Sequence, residues 1–220
     1  MNLRTFLEIL IAITVSTVFI SGSLQGWFPV SLTETLGFIT GAACVYLVVK
    51  ENIWNYPLGI ANNIFFIVLF TNTQLYGDAA LQLVYIALGI QGWYLWLHGG
   101  PQKTVLKVNS ASLELLVYTA VFVVVGTIAL IYLLRWARGA APFLDAFTTA
   151  LSLAAQYLLN RKMIENWYLW ITADVIYIFL YISRGLHLTA VLYFIFLCLC
   201  IAGVMKWRQS LRLKLVVGRR

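Results

Sequence analysis

The chain has 220 residues, of which 62% are hydrophobic and only 10% are charged, and its mean hydropathy is +0.88. Ordinary globular domains carry about 45–50% apolar and about 25% charged residues. This composition therefore excludes a soluble enzyme and predicts an integral membrane protein with almost no domain outside the bilayer.

Eight apolar runs of helical periodicity follow one another along the chain. A transmembrane helix needs about 20 apolar residues, so 220 residues allow eight spans joined by short loops. We therefore expect an all-α integral membrane protein with eight transmembrane helices. The predicted runs are residues 5–22, 32–50, 54–71, 75–97, 112–135, 142–160, 165–183 and 186–206.

The distribution of positive charge predicts the orientation of these helices. With the N-terminus inside, twelve Lys and Arg residues fall in cytoplasmic segments and three fall outside, as the positive-inside rule requires. The net charge of +7 is thus explained by topology in a lipid bilayer, and no nucleic-acid partner is expected. The inner residues are Arg4, Lys50, Lys103, Lys107, Arg161, Lys162, Lys206, Arg208, Arg212, Lys214, Arg219 and Arg220, and the outer ones are Arg135, Arg138 and Arg184.

The sequence resembles itself when residue 34 is aligned with residue 145 and the alignment continues without a gap. Over residues 34–96 and 145–207, 16 of 63 positions are then identical. Each copy holds three helices, so the helix between them must turn the chain back, and the two copies become parallel. Parallel repeats are a transporter architecture with the substrate at the repeat interface. The most informative identities in this repeat alignment are Tyr46/Tyr157, Asn55/Asn166, Gly92/Gly203 and Trp96/Trp207.

The repeat divides the chain into five parts. In chain order these hold one extra helix, three helices, one linker helix and three helices (1+3+1+3), followed by a tail. Residues 1–31 form an extra N-terminal helix, and residues 32–97 form the first three-helix repeat. Residues 98–141 supply a cytoplasmic loop and an inverting linker helix. Residues 142–207 form the second repeat, and residues 208–220 form a basic cytoplasmic tail.

The seventh run carries an acid in a column of aromatic side chains. Trp167, Trp170, Asp174, Tyr177 and Tyr181 are spaced by three and four residues, which places them on one helix face. A charge at bilayer depth costs about 2.5–3.5 kcal/mol and usually serves a site or a pathway. The column suits a planar organic solute, including a cationic one. Two alternatives stay open: Asp174 as a structural acid bonded to a Thr, Asn or Tyr of another helix, and Trp167 as an interfacial tryptophan.

Three other helices carry polar side chains at a similar depth. Such groups are hard to explain against lipid, so they are expected to face the interior of the bundle. Together with the seventh helix they predict a substrate site enclosed by helices three, four, six and seven, although hydrogen bonding between helices would also explain some of them. The residues are Asn62 and Asn63 on helix three, Gln82 and Tyr85 on helix four, and Ser152, Gln156 and Asn160 on helix six.

Catalytic motifs are not found in the sequence. It has no His-Glu-x-x-His zinc motif, no phosphate-binding glycine loop and no Cys-x-x-Cys pair, so neither a cofactor nor a metal is predicted. A membrane-embedded enzyme would need a nucleophile or a metal cluster, and a structural membrane subunit would not explain polar groups on several helices. A transporter is the preferred interpretation, and these two are its alternatives.

Several short motifs resemble those of the PnuC family, which are bacterial transporters of the vitamin B3 precursor nicotinamide riboside. The resemblance covers about residues 32–207, and its Glu-Asn-Trp-x-x-Trp element is fairly specific to the family. The motifs are Leu75-Tyr76, Gln82, Gly92-Trp93-Tyr94 with Trp96, Arg161-Lys162, and Glu165-Asn166-Trp167 with Trp170.

The resemblance implies a homotrimer of carriers, each made of two parallel three-helix bundles joined by a linker helix. It implies facilitated diffusion across the bacterial inner membrane, driven by a cytoplasmic kinase that phosphorylates the riboside. By position, Gln82, Asn166, Trp167 and Trp170 match motif residues. Asp174 occupies a slot where the family has a short polar residue, often Asn. The expected substrate-binding residues are Trp170, Asp174, Tyr177, Gln82, Asn166, Trp167, Asn63, Tyr85 and Gln156.

Overall fold

The computed structural model describes residues 3–27, 32–72, 76–136, 142–183, 185 and 187–217. Within these residues it contains eight α-helices, one short 3₁₀ turn at Pro101–Lys103 and one isolated β-bridge between Asn109 and Met163. The predicted all-helical class with eight helices is therefore confirmed. The helices are α1 Leu3–Leu24, α2 Leu32–Val49, α3 Asn55–Asn72, α4 Tyr76–His98, α5 Leu113–Trp136, α6 Pro142–Asn160, α7 Asn166–Ser183 and α8 His187–Val217.

The helix ends agree closely with the predicted apolar runs, except at the end of α8. The predicted run stops at residue 206, whereas α8 continues to Val217. Residues 207–217 contain neither Gly nor Pro and are rich in Leu, Arg and Lys, so nothing in them ends a helix. The first part of the predicted basic tail is thus helical. Four residues of the charge prediction lie outside the described part of the chain, namely Arg138, Arg184, Arg219 and Arg220.

Several of these helices have the length and composition of membrane spans. Ala79–His98 in α4, Leu113–Leu133 in α5 and Thr189–Leu213 in α8 are long and apolar enough to cross a bilayer. Shorter apolar stretches lie at Thr14–Leu24 and Thr35–Val49. The count of eight membrane spans stays a prediction.

The helices pack into a bundle in which most consecutive helices are neighbours. α2 packs on α3 and α3 on α4, and likewise α6 packs on α7 and α7 on α8. Two further contacts join these groups, α2 with α8 and α4 with α6. α1 lies against α2 and α5 lies against α6. Six helices, α2–α4 and α6–α8, therefore surround the interior of the bundle.

The turn between α2 and α3 has the same local geometry as the turn between α6 and α7. Glu51 and Lys162, which the repeat alignment pairs, adopt left-handed backbone angles with φ of 54° and 51°. Asn55 and Asn166 each begin the next helix and donate a side-chain hydrogen bond to the carbonyl oxygen three residues earlier, at 2.7 and 2.6 Å. These bonds satisfy backbone acceptors in the turn and orient the helix that follows.

Three buried tryptophans form the core at this end of the bundle. Trp96 of α4 donates its indole N–H to the carbonyl oxygen of Leu159 at 3.1 Å, and Trp207 of α8 donates to that of Val48 at 3.1 Å. The ring of Trp167 packs edge-on against Trp207, with 5.4 Å between ring centroids. The two indoles therefore satisfy carbonyl groups at helix ends. Trp96 joins α4 to the end of α6, and Trp207 joins α8 to the end of α2.

The connector between α4 and α5 is fastened to the turn between α6 and α7. Asn109 donates its backbone N–H to Lys162 at 2.9 Å and accepts one from Ile164 at 2.9 Å. The Glu165 carboxylate accepts hydrogen bonds from the Ser110 hydroxyl at 2.6 Å and from the Ala111 N–H at 2.9 Å. Glu165, the first residue of the Glu-Asn-Trp element, is thus bound to this connector.

Candidate functional site

A cavity of about 460 Å³ lies inside the six-helix bundle. All nine residues predicted to bind substrate line it, which brings together side chains from α3, α4, α6 and α7. The predicted enclosure by these four helices was incomplete, because Cys44 of α2 and Tyr193, Phe196 and Cys200 of α8 line the cavity as well. The nine predicted residues are Asn63, Gln82, Tyr85, Gln156, Asn166, Trp167, Trp170, Asp174 and Tyr177.

The helix spacing explains why the predicted residues meet. Asp174 and Tyr177 of α7 follow Trp170 by four and seven positions, so all three point to one side of the helix. The contributions of α2 and α8 were missed because the residues of these helices that line the cavity are Gly, Cys, Val, Tyr and Phe, which do not mark an inward face in an apolar run. The repeat offered a signal, since Tyr193 aligns with Gln82 in the repeat alignment.

Asp174 is buried in α7, with 6% of its surface exposed. Its carboxylate oxygen Oδ2 accepts a hydrogen bond from the Cys200 thiol at 3.4 Å. A thiol is a weak donor, so this bond leaves most of the acceptor capacity of the carboxylate for another group. Of the described residues that line the cavity, Asp174 alone carries a charged side chain. Its partner on the neighbouring helix is a thiol, not the Thr, Asn or Tyr that the structural alternative named.

Aromatic rings cover the wall next to Asp174. Tyr177 lies against Tyr193 of α8, with ring centroids 4.8 Å apart, and Tyr193 contacts Phe196 edge-on at 5.8 Å. Tyr181, the last member of the predicted column, stacks on Tyr193 at 5.2 Å and does not itself line the cavity. Trp170 is half-buried and lines the cavity on the same face of α7. The acid is thus bordered by ring faces from two helices.

Two buried polar atoms among the lining residues have no hydrogen-bond partner in the described part of the chain. They are the carbonyl oxygen of the Asn166 side chain and the indole N–H of Trp167. Leaving such a group buried and unpaired costs about 1–3 kcal/mol, so each requires an explanation. Asn166 offers an acceptor and Trp167 offers a donor, which is the complement of an amide group.

Gln156 belongs to a hydrogen-bonded group that joins three helices. Its amide nitrogen donates to Asn160 at 3.0 Å, and Asn160 in turn donates to the carbonyl oxygen of Leu88 at 2.7 Å. The Tyr56 hydroxyl donates to the same Asn160 oxygen at 3.4 Å. Asn160 is fully buried and does not line the cavity, so this member of the predicted polar stripe holds α6 to α3 and α4.

The other polar side chains of α3, α4 and α6 lie along the cavity. Asn62 and Asn63 of α3 line it together with Gln82 and Tyr85 of α4 and Ser152 of α6. Amide groups donate and accept hydrogen bonds, so this wall can bind hydroxyl or amide groups of a solute.

The sequence matches a known protein family over most of its length. The family model described as "Nicotinamide mononucleotide transporter" matches residues 31–209. The nicotinamide riboside transporter PnuC of Escherichia coli strain K12 is 30% identical over 213 residues, covering 85% of this chain and 89% of the relative. The transporter of the same name from Neisseria mucosa is 26% identical over 197 residues, covering 84% and 74%.

A relative with another solute in its name also matches. The riboflavin/roseoflavin transporter RibM of Streptomyces davaonensis is 25% identical over 182 residues, covering 80% of this chain and 84% of the relative. Among solved structures, the vitamin B3 transporter PnuC superimposes with a TM-score of 0.73 over 96% of this chain and 93% of that chain, at 24% identity. The two structures share one fold.

Proposed function

Because this chain belongs to the nicotinamide mononucleotide transporter family, which matches it over residues 31–209, we propose that it carries nicotinamide riboside across the bacterial inner membrane. The observation that supports this proposal most directly is the buried carboxylate of Asp174 between aromatic rings in a cavity of about 460 Å³. The chemistry of that cavity matches the three parts of the riboside, which are a cationic pyridinium ring, a carboxamide and a ribose.

The pyridinium ring is matched by the acid and the aromatic wall. Ring faces attract a cation by about 0.5–2 kcal/mol, and more when water is excluded. Tyr177 and Trp170 supply such faces on either side of Asp174 along α7. The carboxylate supplies the opposite charge at a depth where a bare ion would be costly. A bound riboside would therefore place its positive charge beside this carboxylate.

The carboxamide is matched by Asn166 and Trp167. The Asn166 oxygen would accept a hydrogen bond from the amide NH₂ of the substrate, and the Trp167 N–H would donate one to its carbonyl oxygen, once these two buried side chains turn toward the cavity. Gln82, Asn63 and Gln156 then remain for the ribose hydroxyls, because amides both donate and accept. In this arrangement a substrate satisfies the buried polar atoms that the protein itself leaves unpaired.

The charges favour the riboside over the mononucleotide. A phosphate group would enter a cavity whose lining includes Asp174 and, within the described residues, neither Lys nor Arg. Proteins that bind phosphate use Arg, Lys or helix N-termini to compensate its charge. Repulsion by the carboxylate would therefore exclude the phosphorylated compound, which is a form of specificity by rejection.

Transport in this proposal is passive. The riboside moves down its own gradient by alternating access, and phosphorylation by a cytoplasmic kinase converts it into a product that the cavity rejects. That reaction keeps the internal concentration of riboside low, so an ion gradient is not required. The kinase link and a homotrimeric assembly rest on the resemblance to the PnuC motifs.

We also propose the 1+3+1+3 arrangement of eight membrane-spanning helices, with repeats at 32–97 and 142–207 and the linker helix in 98–141. The packing supports this arrangement. The repeat alignment pairs α2 with α6 and α8 with α4, and the contact between α2 and α8 is matched by a contact between α6 and α4. The hydrogen bonds of Trp96 and Trp207 form a second matched pair, since the repeat alignment also pairs their acceptors. The extra helix α1 packs on α2, and the linker helix α5 packs on α6, which the repeat alignment pairs with α2.

The test is counterflow in proteoliposomes. Purified protein is reconstituted with unlabelled nicotinamide riboside inside, and uptake of radiolabelled riboside is followed against protein-free liposomes. We expect exchange that unlabelled riboside inhibits, and that neither the mononucleotide nor riboflavin inhibits at the same concentration. Exchange that the mononucleotide or riboflavin inhibits more strongly than unlabelled riboside does would overturn the proposed substrate. Failure to exchange any of the three would favour the structural-subunit alternative.

A further inference from the structure

An ion pair closes the bundle at the end where the turns after α2 and α6 meet. The Lys162 ammonium lies 3.2 Å from the Glu51 carboxylate, and the Lys162 side chain is only 5% exposed. Glu51 also accepts a hydrogen bond from the Ser210 hydroxyl of α8 at 2.7 Å. The Lys162 ammonium lies 4.3 Å from the centre of the Trp96 ring of α4. Both charges are therefore held by further contacts, on different helices.

The pair lies beyond the end of the cavity that Val48 and Leu159 line. Val48 and Leu159 line the cavity, and Glu51 and Lys162 follow them by three positions in the chain. Between the cavity and the ion pair lie the indoles of Trp96 and Trp207, whose ring centroids are 6.1 Å apart. A solute that leaves the cavity in this direction must pass the indole layer and then the ion pair.

The contacts divide this end of the bundle into two units. In the first unit, Trp207 of α8 is bonded to the end of α2, and Ser210 of α8 is bonded to Glu51 after α2. In the second, Trp96 of α4 is bonded to the end of α6 and packs on Lys162 after α6. The Glu51–Lys162 pair joins the α2–α8 unit to the α4–α6 unit.

The two residues occupy equivalent positions in the two repeats. The repeat alignment pairs them, both have left-handed backbone angles, and both follow the same pattern of backbone hydrogen bonds. If the two turns had identical residues at this position, two like charges would meet there. The sequence instead places opposite charges there, with Lys50 and Arg161 preceding them in both copies.

We propose that Glu51 and Lys162 are the latch of a gate at the cytoplasmic end of the cavity, and that this pair must separate before the solute can leave toward the cytoplasm. The inference rests on the proposed transport function and names the residues that control its inner exit. An ion pair suits a gate because separated charges regain their hydration, so opening costs less than pulling apart an equally large apolar contact. Burial lowers the pKa of the Lys162 ammonium below its ordinary value, and the neighbouring Glu51 carboxylate offsets part of that shift.

The chain contains a natural reporter for this gate. Cys44 lines the cavity, so a cationic, membrane-impermeant methanethiosulfonate reaches it from the cytoplasmic side only when the inner end is open. Inside-out membrane vesicles expose that side. The exposed Cys198 is replaced by Ala in every variant, and mass spectrometry separates modification of Cys44 from that of Cys200.

Charge reversal gives the decisive comparison. Glu51→Lys and Lys162→Glu each place like charges together, and we expect each to speed Cys44 modification about tenfold by shifting the population toward the open state. The double exchange restores an opposite pair in two equivalent backbone positions, and we expect it to return the rate to that of the parent. Arg161→Glu is the matched control, because it reverses a neighbouring charge that contacts the Tyr157 ring instead of the pair, and it should leave the rate unchanged.

The outcomes separate the gate from the substrate assignment, because labelling needs no solute. Single reversals that insert and elute like the parent but label at the parental rate would overturn the latch, as would a double exchange that labels as fast as the single variants. If a reversal fails to insert, Glu51→Gln tests the same bond with less disturbance and should still accelerate labelling. A chain that shows the expected labelling without riboside exchange would retain the gate and lose the proposed substrate.

Discussion

Asp174 is the one acidic residue among the described residues that line the cavity. None of the other described residues that line the cavity is charged to compensate its carboxyl group, and its hydrogen bond from Cys200 is a weak one at 3.4 Å. The carboxylate therefore gains most from a cationic ligand. An amide at this position would keep the hydrogen-bonding capacity and lose the charge, which makes the contribution of the charge measurable.

Asp174→Asn should weaken binding of nicotinamide riboside about tenfold, which corresponds to about 1.4 kcal/mol, while counterflow continues. The neutral dihydropyridine form of the riboside should bind to the variant and the parent almost equally, because it offers no positive charge to the acid. Isothermal titration with both compounds makes the comparison. Equal losses for the charged and the neutral compound would show that the carboxylate does not act through its charge.

Trp170 and Gln82 test the aromatic and the amide parts of the site. We expect Trp170→Ala and Gln82→Ala each to reduce riboside binding at least about tenfold, since one removes a ring face and the other removes a polar partner. Trp93→Ala is the control, because Trp93 lies on α4 with 37% of its surface exposed and does not line the cavity. Near-parental affinity of both site variants, measured calorimetrically on folded protein, would rule out this assignment.

At the scale of the helices, two glycines set how closely the elements approach. A Cβ atom at Gly203 of α8 would overlap the Trp167 ring of α7, and one at Gly92 of α4 would overlap Tyr56 and Asn160. Small residues allow membrane helices to pack at short distance, and here they make room for large rings beneath the cavity. The repeat alignment pairs these two glycines, so the close approach recurs in both groups of helices.

Gly203→Ala should destabilise the protein by about 1–3 kcal/mol, because the buried Trp167 ring must move away from the added methyl group. It should also weaken riboside binding, since Trp167 lines the cavity. Gly126→Ala on α5 is the matched control: its Cβ would lie 3.6 Å from Ala150, an ordinary contact. Thermal unfolding in detergent compares the stability of the two variants. A melting temperature of Gly203→Ala at or above that of Gly126→Ala would contradict the packing argument.

At the scale of the whole molecule, charge sets the orientation in the membrane. Lys103 and Lys107 lie between α4 and α5, at the end of the bundle that also carries Lys50 and Arg161. The positive-inside rule predicts that this end faces the cytoplasm. We therefore expect the turn after α1 to face outward and both termini to lie inside.

Single cysteines at two exposed glutamines test this orientation. A cysteine at Gln25, in the turn after α1, should react with an impermeant maleimide added to intact cells, and one at Gln102 should react only after the membrane is opened. The background lacks Cys44, Cys198 and Cys200. Labelling of Gln102→Cys and not of Gln25→Cys in intact cells would reverse the orientation.

The energetics of transport also belong to the molecule as a whole. Asp174 has neither a His nor a second carboxylate on its own helix face, so it makes a poor relay for protons. With the membrane potential clamped, an imposed pH gradient should therefore not raise internal riboside above the external concentration in proteoliposomes. Accumulation under that gradient, lost in Asp174→Asn, would demonstrate proton coupling and refute passive transport.

Local patterns in the sequence were sufficient to predict the helices and, for α3, α4, α6 and α7, residues that line the interior. Apolar runs of about 20 residues predict eight helices with nearly correct ends, α8 excepted, because backbone groups in an apolar medium must be satisfied within the helix. The spacing of Trp170, Asp174 and Tyr177 places them on one face because of the same helical geometry. That these residues bind a substrate remains a prediction.

The tertiary structure alone decided which faces meet. Cys200 and Tyr193 belong to an apolar helix, and only the packing of α8 on α7 brings the thiol to Asp174. Asn160 has the spacing of a site residue, yet its hydrogen bonds are made to neighbouring helices and to Gln156. Glu51 and Lys162 belong to different repeats and form a pair only when two turns close on each other. Helical periodicity is a local property of the chain, whereas these contacts depend on how distant segments pack, and local spacing carries no information about that.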